Sequence, residues 1–173
     1  MIRLILGGAR SGKSHYAEQL AMKSTKNVIY IATGEARDSE MQQRIQQHQH
    51  RRPSHWQTLE EPIELASVLT AHGKNTNCLL VDCLTLWLSN SLFNHVGELQ
   101  EIIFKQQKDA LLNCLADLNA DVILVSNEVG NGIVPIDKMS RRFVDEAGCL
   151  HQQLARCCDE VILVTAGLAQ VLK

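Results

Sequence analysis

Eight consecutive residues, Gly7-Gly8-Ala9-Arg10-Ser11-Gly12-Lys13-Ser14, follow the spacing G-x-x-x-x-G-K-[ST], and each fixed position has a chemical reason to be there. Glycines at 7, 8 and 12 let backbone N–H groups close around phosphate oxygens, where a side chain would block the approach. Lys13 has the reach and charge for β- and γ-phosphates, and Ser14 offers a hydroxyl to Mg2+. A short apolar run of strand type, residues 2–6, leads into this loop, and a helical pattern follows it. That helix directs the positive end of its dipole at the bound anion. A bare glycine-rich turn would lack this setting. The segment therefore predicts a phosphate-binding loop (P-loop) for a nucleotide and leaves open what is done with that nucleotide.

Other residues extend the chemistry. Asp82 ends a buried apolar strand, the position of an acid that holds Mg2+ through water; the plainer reading is a loop cap. The stretch 38–50 reads as a helix, and at about 100° per residue Met41, Ile45 and His48 fall within about 60° of one another. His48 thus shares the inward face, whereas His50 points to the opposite side. An inward histidine is commonly a satisfied core residue. Here Arg44, Arg51 and Arg52 stand within about two helical turns, a density of guanidinium groups that suits a polyphosphate as well as a solvated basic face. Glu60 and Glu61 are placed in a loop after Trp56 and Thr58, as helix N-terminal charges or as acceptors for a base or ribose. The run Asn127-Glu128-Val129-Gly130-Asn131-Gly132 follows another strand and reads as an adaptable loop over a ligand.

The elements that must hold these residues alternate regularly. A helix is expected from Ser14 to about Lys23, with Tyr16, Ala17, Leu20 and Ala21 on its apolar side. Residues 28–32 (VIYIA) are a continuous apolar strand, broken by Thr33 and Gly34 at the C-terminal end, where open α/β sheets bind ligands. Asp38 or Ser39 caps the next helix, which Pro53 stops. Glu61-Pro62 begins another, with Leu65, Ala66 and Leu69 inward. Strand 78–82 follows, then an apolar segment 84–95 that is a helix or a subunit contact. A long helix from Glu98 to about Leu118 is marked by Leu99, Ile102, Ile103, Ala110, Leu111 and Leu115. Strand 121–126, a helix through Met139, Phe143, Ala147, Leu150 and Leu154, and strand 160–165 complete the pattern. The class expected is α/β, a mostly parallel sheet with helices on both faces, in one domain spanning residues 1–173.

The totals narrow the function. A net charge of −2 and an aromatic content of 4% give no electrostatic or stacking case for nucleic acid, and no basic case for an anionic membrane. No apolar run approaches the ~18–20 residues that would cross a bilayer, and no signal segment precedes the first strand. The six cysteines show no metal-type C-x-x-C pair and read mostly as small core residues in a reducing cytoplasm.

Taken together, GGARSGKS at 7–14, YIAT at 30–33, RIQQHQHRRPSHWQTLE at 44–60 and LLVDCLTLWLSN at 79–90 resemble one family. SNEVGNGIVP at 126–135, RRFVDEAG at 141–148 and DEVILVTAGLAQVLK at 159–173 extend the likeness over nearly the whole chain. It is the bifunctional adenosylcobinamide kinase/adenosylcobinamide-phosphate guanylyltransferase family of cobalamin biosynthesis. The R-I-x-x-H and NEVGxGIVP blocks are far more specific than the P-loop. The resemblance implies a RecA-like P-loop fold assembled as a homotrimer. It implies phosphorylation of adenosylcobinamide by ATP or GTP, then transfer of GMP from GTP to adenosylcobinamide phosphate through a GMP-histidine, with release of pyrophosphate. The residue matching that histidine is His48. The nucleotide-binding set implied is Gly7 to Ser14, Ala32, Thr33, Gly34, Gln49, His50, Arg51, Arg52, Glu60 and Asp82, with Ser14 and Asp82 for Mg2+. Two positions depart from the pattern. Gln47 precedes His48 where some relatives have a second histidine. His151 stands where relatives commonly carry Asn after an expected turn at Gly148, which bears on a local hydrogen bond.

Overall fold

The structure is a computed structural model that describes residues 1–35 and 53–173. Six strands run parallel in one sheet: β1 (Ile2–Gly7), β2 (Asn27–Ala32), β3 (Gln57–Glu60), β4 (Asn77–Asp82), β5 (Asp121–Asn127) and β6 (Glu160–Thr165). A seventh, β7 (Leu168–Val171), turns back antiparallel on β6, and the order across the sheet is β3-β2-β4-β5-β1-β6-β7. Parallel neighbours need crossovers, and the chain supplies helices for them. Among the described residues these are α1 (Lys13–Met22), α2 (Leu65–His72), α3 (Leu84–Leu92), α4 (Glu101–Asp117) and α5 (Lys138–Cys157).

Alternation along the strands divides the core in two. On one face Leu4, Leu79, Val81, Val122 and Leu124 pack against α2, α3, α4 and α5, with Trp87 and Phe104 buried among them. On the other, Ile5, Leu80, Ile123, Val125 and Ile162 meet Ala17 and Ala21 of α1, together with Trp56. Both faces are covered by helices, which is why the strands read as unbroken apolar runs.

Register lines up the strand ends. Ala32 pairs with both Glu60 and Asp82, Asp82 with Val125, and Gly7 with Asn127. The phosphate loop, Asp82, Glu60 and the loop after β5 therefore share one edge of the sheet.

Several expectations are corrected. Residues 57–60 form β3, where a loop was expected; four mostly exposed residues carry no apolar signature, and only pairing with β2 makes them a strand. The helix expected from Glu61-Pro62 begins at Leu65, because the Glu61 carboxylate folds a turn first, accepting from the amides of Ile63 (2.9 Å) and Glu64 (2.7 Å). The ambiguous segment 84–95 is the core helix α3 up to Leu92. α4 starts at Glu101, after a turn in which Asn94 Oδ1 accepts from the amides of Val96 and Glu98. Of the residues that mark this helix in the sequence, Leu99, Ile102, Ile103 and Ala110 are exposed; Phe104, Leu111 and Leu115 carry the contact. Gly148 lies inside α5, with no turn there. β7 had no forecast. Cys78, Cys83 and Cys158 are buried, but Cys149 and Cys157 are exposed.

Candidate functional site

The loop between β1 and α1 is built on left-handed backbone at Arg10 (φ 57°) and Gly12 (φ 95°). A Cβ on Gly12 would also stand 3.1 Å from the Cα of Gly167. Gly7 is required for a different reason from the one its motif suggests. A Cβ there would run into the Ser11 side chain of the same loop and lie 2.6 Å from the carbonyl of Val164 in β6. Gly8 alone faces open space. The β6–β7 turn supports the loop from below, since the Gly167 amide donates to Ser11 O at 2.8 Å. Nothing in the sequence pattern pointed to this support, although T-A-G between two strands signals a tight turn.

The N-terminus of α1 has no side-chain cap and no acidic residue in its first turn, so its amides and dipole remain open to an anion. Lys13 is buried, with Nζ donating to Gly8 O at 3.2 Å. Burial pushes its pKa below the usual lysine value, against the attraction of Asp82 and Cys83. Ser11 Oγ is buried and finds no partner among the described residues. Together these amount to an anion-binding cradle.

Asp82 stands at the end of β4, where Oδ2 accepts from the Tyr30 hydroxyl at 3.0 Å. Tyr30 was not singled out from sequence, because 52 residues separate it from Asp82. Among the described residues no three His, Cys, Asp or Glu side chains converge as a metal cluster. Mg2+ does not require one: it prefers one or two hard oxygen ligands from protein plus phosphate and water. The Ser14 hydroxyl and the Asp82 carboxylate at this edge fit that donor set.

Thr33 and Asn90 form a brace behind the edge. Thr33 Oγ1 donates to Cys83 O (2.7 Å) and accepts from Cys83 N (2.9 Å), while Asn90 Nδ2 donates to Thr33 O at 2.8 Å. The Thr33 hydroxyl is thus committed to backbone. Glu60 is the exposed last residue of β3, beside Ala32. At the end of β5, Asn127 Nδ2 donates to Thr85 Oγ1 at 2.8 Å, and just beyond it the Glu128 amide donates to Gly7 O at 2.9 Å. His48, Gln49, His50, Arg51 and Arg52, with Arg44 and the rest of the expected helix 38–50, lie outside the described residues.

This geometry can be set beside known proteins. Residues 3–172 match the model of the family described as cobinamide kinase / cobinamide phosphate guanyltransferase. The chain belongs to that family. It is 53% identical over 170 residues to the bifunctional adenosylcobalamin biosynthesis protein CobP of Pseudomonas aeruginosa, covering 98% of this chain and 96% of the relative. The proteins named CobU in Escherichia coli and Salmonella typhimurium are 38% and 39% identical, with both chains covered completely. Membership places the chain among the bifunctional kinase and guanylyltransferase enzymes of cobalamin biosynthesis. Among solved structures it is similar to the assembled ATPase EscN of an E. coli type III secretion system. The TM-score is 0.57 at 10% identity, over 95% of this chain and 43% of EscN. A second type III secretion ATPase gives 0.55 at 12% identity, over 98% of this chain and 57% of that one. Such distant likeness speaks for the fold alone, and the fold is the RecA-like P-loop type that the sequence led one to expect.

Proposed function

We propose that this protein phosphorylates the hydroxyl of adenosylcobinamide with ATP or GTP and then transfers GMP from GTP to the resulting phosphate. The products of the second step are adenosylcobinamide-GDP and pyrophosphate. The observation that carries this reading is the joining of one cradle, Gly7 to Ser14 with Asp82 beside it, to a family match from residue 3 to residue 172. In the first step the substrate hydroxyl attacks the γ-phosphorus and the bond to the β-phosphate oxygen breaks. In the second, an imidazole nitrogen of His48 attacks the α-phosphorus and pyrophosphate leaves. A phosphate oxygen of adenosylcobinamide phosphate then attacks the phosphorus, and the P–N bond breaks.

Both steps place negative charge over the same loop. Lys13 and the α1 N-terminus face it in either case, and the arginines at 44, 51 and 52 are assigned to the departing pyrophosphate. Ala32, Thr33, Gly34 and Glu60 are assigned to the nucleotide, as are Gln49 and His50. Ser14 and Asp82 would hold Mg2+, which would offset the negative charge of the phosphates. We assign a homotrimer in the cytoplasm; no helix among the described residues is long and apolar enough to cross a membrane.

The test is covalent labelling. GTP labelled at the α-phosphorus is expected to leave acid-labile, base-stable label on the wild type and none on His48→Ala, which should still phosphorylate adenosylcobinamide. Full labelling of His48→Ala, or an unlabelled wild type, would remove the intermediate. Phosphorylation without pyrophosphate release would leave an ordinary kinase.

A further inference from the structure

The two reactions as described leave the first without a group to receive the hydroxyl proton. The loop after β5 holds a candidate. Glu128 is joined to the phosphate loop through its own amide, which donates to Gly7 O at 2.9 Å. Its carboxylate is fixed from two directions. Oε1 accepts from the Gly130 amide at 2.6 Å, and Oε2 faces Nδ1 of His151 at 3.7 Å, an electrostatic contact longer than a hydrogen bond. His151 comes from the middle of α5, is 7% exposed, and has Nε2 2.7 Å from Ser126 Oγ. The tautomer with its proton on Nδ1 suits a ring that faces a carboxylate there. In that tautomer Nε2 accepts from the Ser126 hydroxyl. Burial favours the neutral ring that this arrangement needs, against the opposing pull of Glu128. A buried Ser–His pair thus stands behind an acid that itself keeps 22% of its side chain open to solvent.

We propose that Glu128 accepts the proton of the cobinamide hydroxyl during phosphorylation, and that Ser126 and His151 are positioning residues that hold its carboxylate at the phosphate loop. This rests on the kinase half of the reading above. The hydroxyl oxygen bonds to the γ-phosphorus, the bond from that phosphorus to the β-phosphate oxygen breaks, and the nucleoside diphosphate leaves. The proton passes to the Glu128 carboxylate and from its open side to water. Of the other acids placed at this edge, Asp82 faces Lys13 and Tyr30 and is assigned to the metal, and Glu60, two strands away on β3, is assigned to the nucleotide. Guanylyl transfer needs no such group, because its acceptor is already a phosphate anion.

The experiment measures the two half-reactions separately in the full-length enzyme. Glu128→Gln should lower kcat for phosphorylation of adenosylcobinamide by roughly 10²–10⁴-fold, the range for losing a general base, with KM for the nucleotide within about threefold. It should still transfer GMP to supplied adenosylcobinamide phosphate. His151→Leu should lower the same kcat by at least about tenfold, and His151→Asn, which keeps a donor, should recover most of it. A wild-type phosphorylation rate in Glu128→Gln overturns the proposal. So does an equal fall of both half-reactions with an unchanged urea midpoint, since that would mark a general role in the site. Should wild type itself not phosphorylate adenosylcobinamide, the parent reading fails instead.

Discussion

Lys13 tests the cradle most directly. Its burial penalises the ammonium, as the lowered pKa records, so a neutral side chain of similar length relieves that penalty while removing the charge that meets phosphates. Lys13→Met is therefore expected to fold with an undiminished urea midpoint and to lose both half-reactions together. Loss of one reaction only would show that the two cleavages do not share this loop. Gly12→Ala tests the backbone. A non-glycine at φ 95° beside Gly167 carries strain of about 1–3 kcal/mol, and nucleotide should no longer raise its melting temperature. His151 gives a pH dependence. Burial holds its folded pKa below the ordinary 6.5, with Glu128 opposing. Between the two values the unfolded chain binds more protons, so stability rises with pH there. The contribution is complete above 6.5 and is lost as pH falls towards the folded value. Urea midpoints should drop between pH 7 and 5.5 more steeply in wild type than in His151→Asn; equal slopes would assign the loss elsewhere. What sequence exposed at this scale was contiguous or terminal. Residues 7–14 sit side by side, and Asp82 announces itself by ending an apolar run. The Ser126–His151 and Tyr30–Asp82 bonds span 25 and 52 residues, and only the folded sheet joins them.

Among the elements, α3 shows how packing settles what periodicity leaves open. Its apolar residues surround most of the helix, so no single face could be read, and burial of Leu84, Trp87, Leu88 and Leu92 explains why. Trp87 fixes the helix in place: it is fully buried, and its Nε1 donates to Ile63 O at 2.8 Å in the turn that Glu61 organises. Through Asn90 the same helix holds Thr33 and the ends of β2 and β4. Trp87→Phe leaves a small void and an unpaired carbonyl, at a cost of about 1–3 kcal/mol. Chemical denaturation should show that loss with an unchanged m-value. A neutral substitution would mean that the turn at 61–64 is held by the Glu61 bonds alone. Errors elsewhere have matching causes. β3 was hidden by its polarity and β7 by its shortness. α4 was extended at its start because Leu99, Ile102 and Ile103 repeat at helical spacing without facing the core.

Those outward residues acquire a meaning only over the whole molecule. Ile102 at the start of α4, Val96 before it, and Ile133, Val134 and Ile136 before α5 are all exposed, Ile133 and Ile136 almost completely. Their neighbours in the chain come together. The turn 93–97 and the first residues of α5 line a common groove, and Arg142 on α5 pairs with Glu101 on α4 at 2.9 Å. Arg141 Nη1 donates to Pro135 O at 2.9 Å and also to Ile136 O, holding the backbone of that loop while its side chains face outward. Apolar residues concentrated on a firmly held surface suit a contact with another protein, and the homotrimer proposed above would supply one in a second copy of the chain. Ile133→Asp combined with Ile136→Asp removes no core contact, so the fold should keep its urea midpoint at low protein concentration. The mass by light scattering should fall from three chains to one. A double variant that remains trimeric would exclude this strip as the interface. If it becomes monomeric yet keeps phosphorylation and guanylyl transfer, each subunit contains a complete site. If it loses either, that half-reaction draws a group from across the interface.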